Sequence, residues 1–307
     1  MKTFTICISS VVIFGLYLSS CQEQPSETVD LIDQLHREYE LDASAERAEI
    51  FLDSLDAFVS THIDNKEKLK PYLLKGINIS KAQGMLSRTA SYLLPLLRLY
   101  PDLDDKKDHL VTLGDVMYAL RKRHASSVVY EELVKNHPND NDLRGKLSLV
   151  DSVAAGQENY IGYLFDQILV SPDDYGVNRA ASLKYVDAVE ALALVSPQDT
   201  IVPDHLYTAA EVARSIRTFP KAMSLYDWLI DTYPSHTKTA NALFIKGFIL
   251  EQDYKRSDEA KLIYEQFLTK YPDHEMAQSA EFLLDNIGKS DQEILKQLED
   301  QSVNQQQ

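Results

Sequence analysis

The sequence predicts an all-α protein built from recurring helix pairs, and two observations carry this expectation. The first is composition: the 307 residues include only 10 glycines and 44% are hydrophobic, which is typical of a globular helical chain. The second is a proline that returns at near-regular intervals, each time directly after an apolar helical pattern. Because proline ends a helix, these positions mark successive helix ends. They are Pro101, Pro138, Pro172, Pro197, Pro234 and Pro272.

The first element along the chain is a signal sequence. Lys2 gives a positive start, and residues 6–18 are almost wholly apolar and uncharged. That stretch is too short to cross a bilayer as a stable helix and has the length of the apolar part of a signal peptide. The text Leu18-Ser19-Ser20-Cys21 resembles the lipobox of bacterial lipoproteins. The resemblance implies removal of residues 1–20 and a lipid on Cys21; an ordinary secretory signal and a buried N-terminal helix are the alternatives.

The rest of the chain divides by composition and by the alternation of helical patterns. Residues 21–28 are polar and contain Pro25, which predicts a short tether. A lone helix and a loop break the alternation of pairs, so we expect a bend or seam between two arrays near residues 172–204. The predicted order is the tether, an N-terminal helical repeat array (29–172), the lone helix and loop (173–203), C-terminal repeats (204–288), and a terminal helix with a polar tail (289–307).

The sequence around the prolines recurs and resembles that of the tetratricopeptide repeat (TPR) family. The repeat of that family is about 34 residues long and forms two helices. The spacing A-x3-Y-x7-P occurs at Ala222/Tyr226/Pro234 and again at Ala260/Tyr264/Pro272. The unit ending at Pro138 matches the family pattern without gaps, and the unit ending at Pro272 needs one residue inserted between its helices. The resemblance implies a right-handed superhelical array of TPR-like antiparallel helix pairs, in which units stack to bury their apolar faces. A non-repetitive helical bundle is the alternative.

Helix starts are predicted from the residues that follow the prolines. Asp, Asn or Ser stands directly after five of the six prolines, and these residue types favour the N-cap position. The predicted caps are Asp102, Asn139, Ser235 and Asp273. Ser290, with Glu293 three residues later, is a capping box that opens the terminal helix.

Charge and motif content exclude several classes of function. With 31 Lys and Arg against 47 Asp and Glu, the formal net charge is −16, which argues against a nucleic-acid partner. None of the 8 histidines forms an H-x-x-x-H pair, so we expect no metal. The chain has no G-x-S-x-G, Walker loop or G-x-G-x-x-G sequence. We therefore expect neither a cofactor nor an enzyme.

The resemblance to TPR repeats also implies a binding groove lined by the first helix of each pair. Carried onto the matched units, the groove positions hold aromatic and charged residues, which are common anchors in protein interfaces. The alternative is that these aromatic residues form the core between repeats. The candidates are Asp115, Tyr118, Tyr207, Glu211, Arg214, Phe244 and Phe248.

Together these features predict a lipid-anchored scaffold that binds partner proteins in envelope assembly or organisation. Residues 219–236 and 258–284 resemble envelope TPR lipoproteins of the outer-membrane-assembly and Tol-Pal-coordinator type. The predicted location is the cell envelope, with Gln22 after the lipid cysteine favouring the outer membrane. A nutrient- or glycan-binding lipoprotein is the second hypothesis; clustered tryptophans would favour it, and the chain has only Trp228.

Overall fold

The computed structural model describes residues 25–63, 65–150, 156–169, 177–290, 292–293 and 295–296. Within these ranges every regular element is an α-helix, so the predicted all-α class is confirmed. The chain forms two compact units, one ending at Asp64 and one beginning at Asn65. The helices are α1 (Pro25–Leu41), α2 (Ala45–His62), α3 (Lys66–Ala82), α4 (Leu86–Leu99), α5 (Lys106–Ala119), α6 (Arg123–Asn136), α7 (Asn141–Leu147), α8 (Gln157–Leu169), α9 (Arg179–Val195), α10 (Val202–Ser215), α11 (Phe219–Thr232), α12 (Thr237–Gln252), α13 (Ser257–Lys270) and α14 (Ala277–Asn286).

The first unit is the helix pair α1–α2. Its first helix begins at Pro25, inside the stretch predicted as a tether, because proline suits the first turn of a helix, where no backbone N–H is needed. The Ser44 side chain caps α2 by accepting a hydrogen bond from the backbone N–H of Arg47. Ile32, Phe51 and other apolar side chains on one face of each helix are buried.

In the second unit, sequential helices pack as pairs and the pairs pack on one another. The tightest neighbours are α3 with α4, α5 with α6, α10 with α11, and α12 with α13. Between pairs, α4 packs on α5 and α11 packs on α12. This is the arrangement of a helical repeat array, in which each helix pair buries its apolar face against the next pair.

Close approach within a pair depends on a small residue in the first helix and a tyrosine in the second. A methyl group on Gly114 would lie 2.6 Å from Cε1 of Tyr130, and one on Gly247 would lie 2.7 Å from Cε1 of Tyr264. Real carbon atoms do not approach so closely, so only glycine fits with the ring in place. In the α5–α6 pair the approach also lets the Ser126 hydroxyl donate a hydrogen bond to the Gly114 carbonyl at 2.9 Å.

In the pairs α3–α4, α5–α6, α10–α11 and α12–α13, the turn after the first helix contains a left-handed residue. Gly84, Arg121, Arg217 and Lys255 occupy this position, with φ between 57° and 69°. The next backbone N–H donates to a carbonyl near the helix end, as in a Schellman motif; for Lys122 the acceptor is Met117, at 2.8 Å. In the α12–α13 turn, the N–H of Arg256 reaches back one residue further, to Leu250. This is the inserted residue that the sequence predicts for that unit.

The recurring prolines end the second helix of each pair as predicted, and they also build a turn. The residue before the proline leaves the helical region, with φ between −126° and −134° at Tyr100, His137, Ser196, Tyr233 and Tyr271. In several turns its carbonyl then accepts a hydrogen bond from the N–H three residues later, as from Asp140 to His137 and from His236 to Tyr233, both at 3.0 Å. Proline therefore takes the second position of a β-turn, which its fixed φ favours. Pro172 lies outside the described residues.

This turn shifts the helix caps, so the predicted caps Asp102, Asn139, Ser235 and Asp273 are wrong. In the clearest cases the cap comes one residue later: Asp140 accepts from the N–H groups of Asp142 and Leu143, and His236 accepts through Nδ1 from Lys238. The residue after proline is still inside the β-turn, so it cannot cap the helix. The Ser290–Glu293 capping box is confirmed, since the Ser290 N–H donates to Glu293 and the Glu293 N–H donates to Ser290.

The regular pairing is interrupted between α6 and α10. Helix α7 is short, ending at Leu147, and carries Arg144 where the repeat pattern has a large apolar anchor. The predicted lone helix is α9, which packs on α6, α8 and α10. It is buried along most of its length. The predicted division into two arrays at this helix stays a prediction.

Candidate functional site

In three helix pairs, α5–α6, α10–α11 and α12–α13, a tyrosine of the second helix bonds to a carboxylate of the first helix. The tyrosine hydroxyl donates and the carboxylate accepts, so the acid is held at the surface of the first helix by a buried partner. The pairs are Tyr130 with Asp115 (2.6 Å), Tyr226 with Glu211, and Tyr264 with Glu251 (2.9 Å).

These contacts keep the tyrosine hydroxyls protonated. Burial raises the pKa of Tyr130, Tyr226 and Tyr264 far above the ordinary range, and the hydrogen bond to each carboxylate raises it further. A protonated hydroxyl donates to an ionised carboxylate, and such charge-assisted bonds are stronger than neutral ones. Two of the predicted groove acids, Asp115 and Glu211, are thus anchored by their own repeat.

Asp115 and Tyr118 form a group on α5. Besides Tyr130, Asp115 accepts a hydrogen bond from Lys146 Nζ of α7 at 2.6 Å. The Tyr118 ring lies 5.5 Å from the guanidinium carbon of Arg123, at the start of α6. Both predicted residues are therefore engaged by side chains of neighbouring helices.

Tyr207, Glu211 and Arg214 form a second group, on α10. Arg214 Nη2 donates to Glu211 at 2.6 Å, whereas Arg214 Nε is buried and has no hydrogen-bond partner. The Tyr207 ring is half-buried, and Lys238 Nζ lies 5.4 Å from the centre of that ring. The Arg214 side chain as a whole is 37% exposed, so its outer N–H groups can reach an acceptor supplied by a bound molecule.

The two predicted phenylalanines of α12 have different environments. Phe244 packs edge-on against Phe267, with ring centres 5.7 Å apart, and belongs to the core of the last repeats. Phe248, one turn later, is 38% exposed. For Phe244 the structure supports the core interpretation, and Phe248 is the phenylalanine of this pair that a partner could reach.

Glu251 completes this surface, although it is not among the residues predicted from the sequence. It stands four residues after Gly247, just as Tyr118 stands four after Gly114 and Arg214 stands four after Ala210. The repeat register alone therefore identifies it. Helix α10 contacts α12, and we call Tyr207, Glu211, Arg214, Phe248 and Glu251 the α10–α12 surface.

The predicted lipid site, Cys21, lies outside the described residues. Among the helices that the structure describes, none combines the length and the apolar character needed to cross a membrane. In the same part of the chain, no group of three or more His, Cys, Asp or Glu side chains is arranged to hold a metal ion.

A tetratricopeptide-repeat family model matches residues 241–274, which span most of α12, all of α13 and the proline turn. No curated protein matches the chain. Among solved structures, the chain is similar to the "TPR2AB-domain:pHSP90-complex of yeast Sti1", at 13% identity, covering 85% of this chain and 100% of that one, with a TM-score of 0.32. It is also similar to YrrB, described as "a TPR protein with an unusual peptide-binding site", at 16% identity, 70% and 97% coverage and a TM-score of 0.28.

The matched unit and the helix pairing define the class of protein. It is an all-α helical repeat protein with one unit that matches the tetratricopeptide-repeat model, and in two of its pairs a glycine packs against a tyrosine.

The buried tyrosines make the fold sensitive to alkali. Their pKa is raised in the folded chain but is about 10 in the unfolded chain, so above that pH the unfolded state binds fewer protons than the folded one. We expect the contribution of these tyrosines to the free energy of unfolding to be constant below about pH 9 and to fall as pH rises beyond about 10. Urea titrations at increasing pH measure this. Tyr226→Phe should flatten the slope, and a slope that Tyr226→Phe leaves unchanged would contradict the assignment.

Proposed function

We propose that this protein is a lipid-anchored scaffold of the bacterial cell envelope that binds a partner protein on the α10–α12 surface. The observations that carry the proposal are two exposed side chains on helices that pack on one another: Arg214 of α10, 37% exposed, and Phe248 of α12, 38% exposed. Arginine and aromatic residues are the side chains that most often dominate interface energies. The TPR-like fold supports a scaffold, because such repeats typically present their first helices to protein ligands.

The chemistry of the surface indicates what the partner supplies. Both Glu211 oxygens are bonded, to Tyr226 and Arg214, whereas Glu251 is bonded through Oε2 alone; the two acids give the surface negative charge, and Glu251 keeps one acceptor oxygen. The exposed N–H groups of Arg214 suit a carbonyl or carboxylate oxygen, and Phe248 and Tyr207 offer apolar contact. A peptide segment with an acceptor group next to an apolar side chain meets both requirements.

The envelope location and the lipid anchor are supported by the sequence of residues 1–21. The short apolar stretch and the Leu18-Ser19-Ser20-Cys21 text agree in position, length and charge. Acyl chains contribute about 0.8 kcal/mol for each buried methylene group, so several chains together hold a domain at a membrane. Because residues 1–24 lie outside the described part of the chain, this component of the proposal depends on the lipobox.

The nutrient- or glycan-binding alternative loses its main candidate residue. Aromatic platforms for sugars need an accessible ring face, and the single tryptophan, Trp228, is 5% exposed. The guanidinium of Arg98 lies 5.5 Å from the centre of its ring. We therefore favour the protein-binding scaffold.

Phe248→Ala should reduce partner capture with the fold intact. Crosslinking in the native envelope, affinity purification and mass spectrometry would compare the wild type, Phe248→Ala and Phe282→Ala. The last is a matched control, since Phe282 is a similarly exposed phenylalanine on α14. We expect at least about tenfold less of the leading co-purified protein with Phe248→Ala, the loss typical of an interface anchor. Equal loss in both variants, or in neither, would contradict the proposed surface.

Replacing the lipid cysteine tests the anchor separately. We expect wild-type protein to label with palmitate and to fractionate with membranes, and Cys21→Ser to do neither, because no thiol remains at that position to carry the lipid. Unlabelled wild type, or membrane retention of the Cys21→Ser protein, would show that the lipobox is a coincidence. The partner experiment stands independently of this result.

A further inference from the structure

A pocket of about 460 Å³ opens in the second unit between helices that the TPR pattern does not place together. Its walls come from α4, α5, α9 and α11, and α4 approaches α11 closely enough for Arg98 to donate to the Ser224 carbonyl at 3.2 Å. Most of the lining is apolar, including Leu94, Leu113, Met117 and Val186. The volume falls within the range of roughly 300–1,000 Å³ that is typical of small-molecule sites.

Two acids of α9 face this pocket, and each has a lysine partner from another element. Lys221 of α11 donates to both carboxylate oxygens of Glu190, at 2.8 and 2.9 Å. Lys122, in the turn before α6, donates to Oδ1 of Asp187 at 2.7 Å. The four charges are balanced, but the two pairs are not equivalent.

The Glu190 pair is complete, whereas the Asp187 pair has an open acceptor. Both Glu190 oxygens are bonded and its side chain is only 9% exposed. Asp187 is bonded through Oδ1 alone, and its partner Lys122 is 42% exposed on a turn. An ionised carboxylate accepts on both oxygens, so Oδ2 of Asp187 is available to a donor at the wall of an apolar pocket.

The electrostatics of Asp187 agree with this geometry. Burial raises its pKa, and Glu190 raises it further, although Lys122 and Lys221 act in the opposite direction. The positive charge around Asp187 is thus insufficient to compensate for the water it has lost. A cationic donor would supply the missing compensation, and it would compete with Lys122, which is 42% exposed on its turn.

We propose that this pocket binds a small amphiphile whose apolar body fills the space between α4, α5 and α9 and whose protonated amine bonds to Asp187. The wall residues Leu94, Leu113, Met117 and Val186 contact the body. The amine takes the free Oδ2 of Asp187, with Lys122 displaced or shared. This site is separate from the α10–α12 surface and does not depend on the scaffold function.

Two probes with the same apolar body and opposite head groups test the proposal. Phenylbutylamine and phenylbutyrate would each be titrated calorimetrically into the full-length protein. We expect saturable binding of the amine and weaker binding of the carboxylate. Asp187→Asn should lower the affinity for phenylbutylamine by about tenfold or more, as expected for the loss of a charge-assisted hydrogen bond. Lys122→Gln should tighten it, because the competing internal cation is removed.

Controls separate binding from folding. Asp285→Asn makes the same chemical change at an exposed position of α14 and should leave the affinity unchanged. Ser91→Phe places a ring at an exposed position of the pocket lining and should block the amine without burying new volume in the core. Equal affinity for both probes, equal effects of Asp187→Asn and Asp285→Asn, or unaltered binding by the Ser91→Phe protein would each overturn the proposal.

Discussion

The contact between a tyrosine ring and the glycine backbone of the preceding helix sets the geometry of the best-formed repeats. At Gly114 and Gly247 the ring occupies the space that any side chain would need. The same ring extends its hydroxyl to a carboxylate on the exposed side of that helix, as Tyr130 does to Asp115. One side chain therefore fixes both the helix spacing and the position of an acid on the surface where partners are expected to bind.

Much of the array could be predicted because its determinants are local in sequence. The proline that ends a helix and the small residue twelve positions before it recur in the best-matched units and act through local sterics. The turn residues could not be predicted in the same way. Arg121, Arg217 and Lys255 adopt a left-handed conformation that glycine would normally supply. The N–H of the following residue closes the turn around each of them, as Lys122 does to Met117, so a residue type other than glycine gives no signal in the sequence.

The sequence predicts which repeat positions belong to the proposed binding surface, but it does not predict how exposed each side chain is. Repeat position alone identifies Tyr207, Arg214 and, by the same offset, Glu251. It does not distinguish Phe244 from Phe248, because both are apolar residues one turn apart and the difference arises from contact with Phe267. The repeat pattern does not predict the pocket lined by α4, α5, α9 and α11. It forms where helices that are distant in sequence pack around α9, which lies outside the regular pairs.

The most direct test of the tyrosine–glycine contact is a double-mutant cycle on the α12–α13 pair, measured by urea unfolding. Gly247→Ala alone should lower the free energy of unfolding by about 1–3 kcal/mol, the cost of overpacking. In a Tyr264→Leu background most of that loss should vanish, giving a coupling above about 1 kcal/mol. Gly162→Ala, at a helical glycine with open space around it, is the control and should stabilise slightly. Additive losses, or a Gly247→Ala protein as stable as the control, would contradict the account.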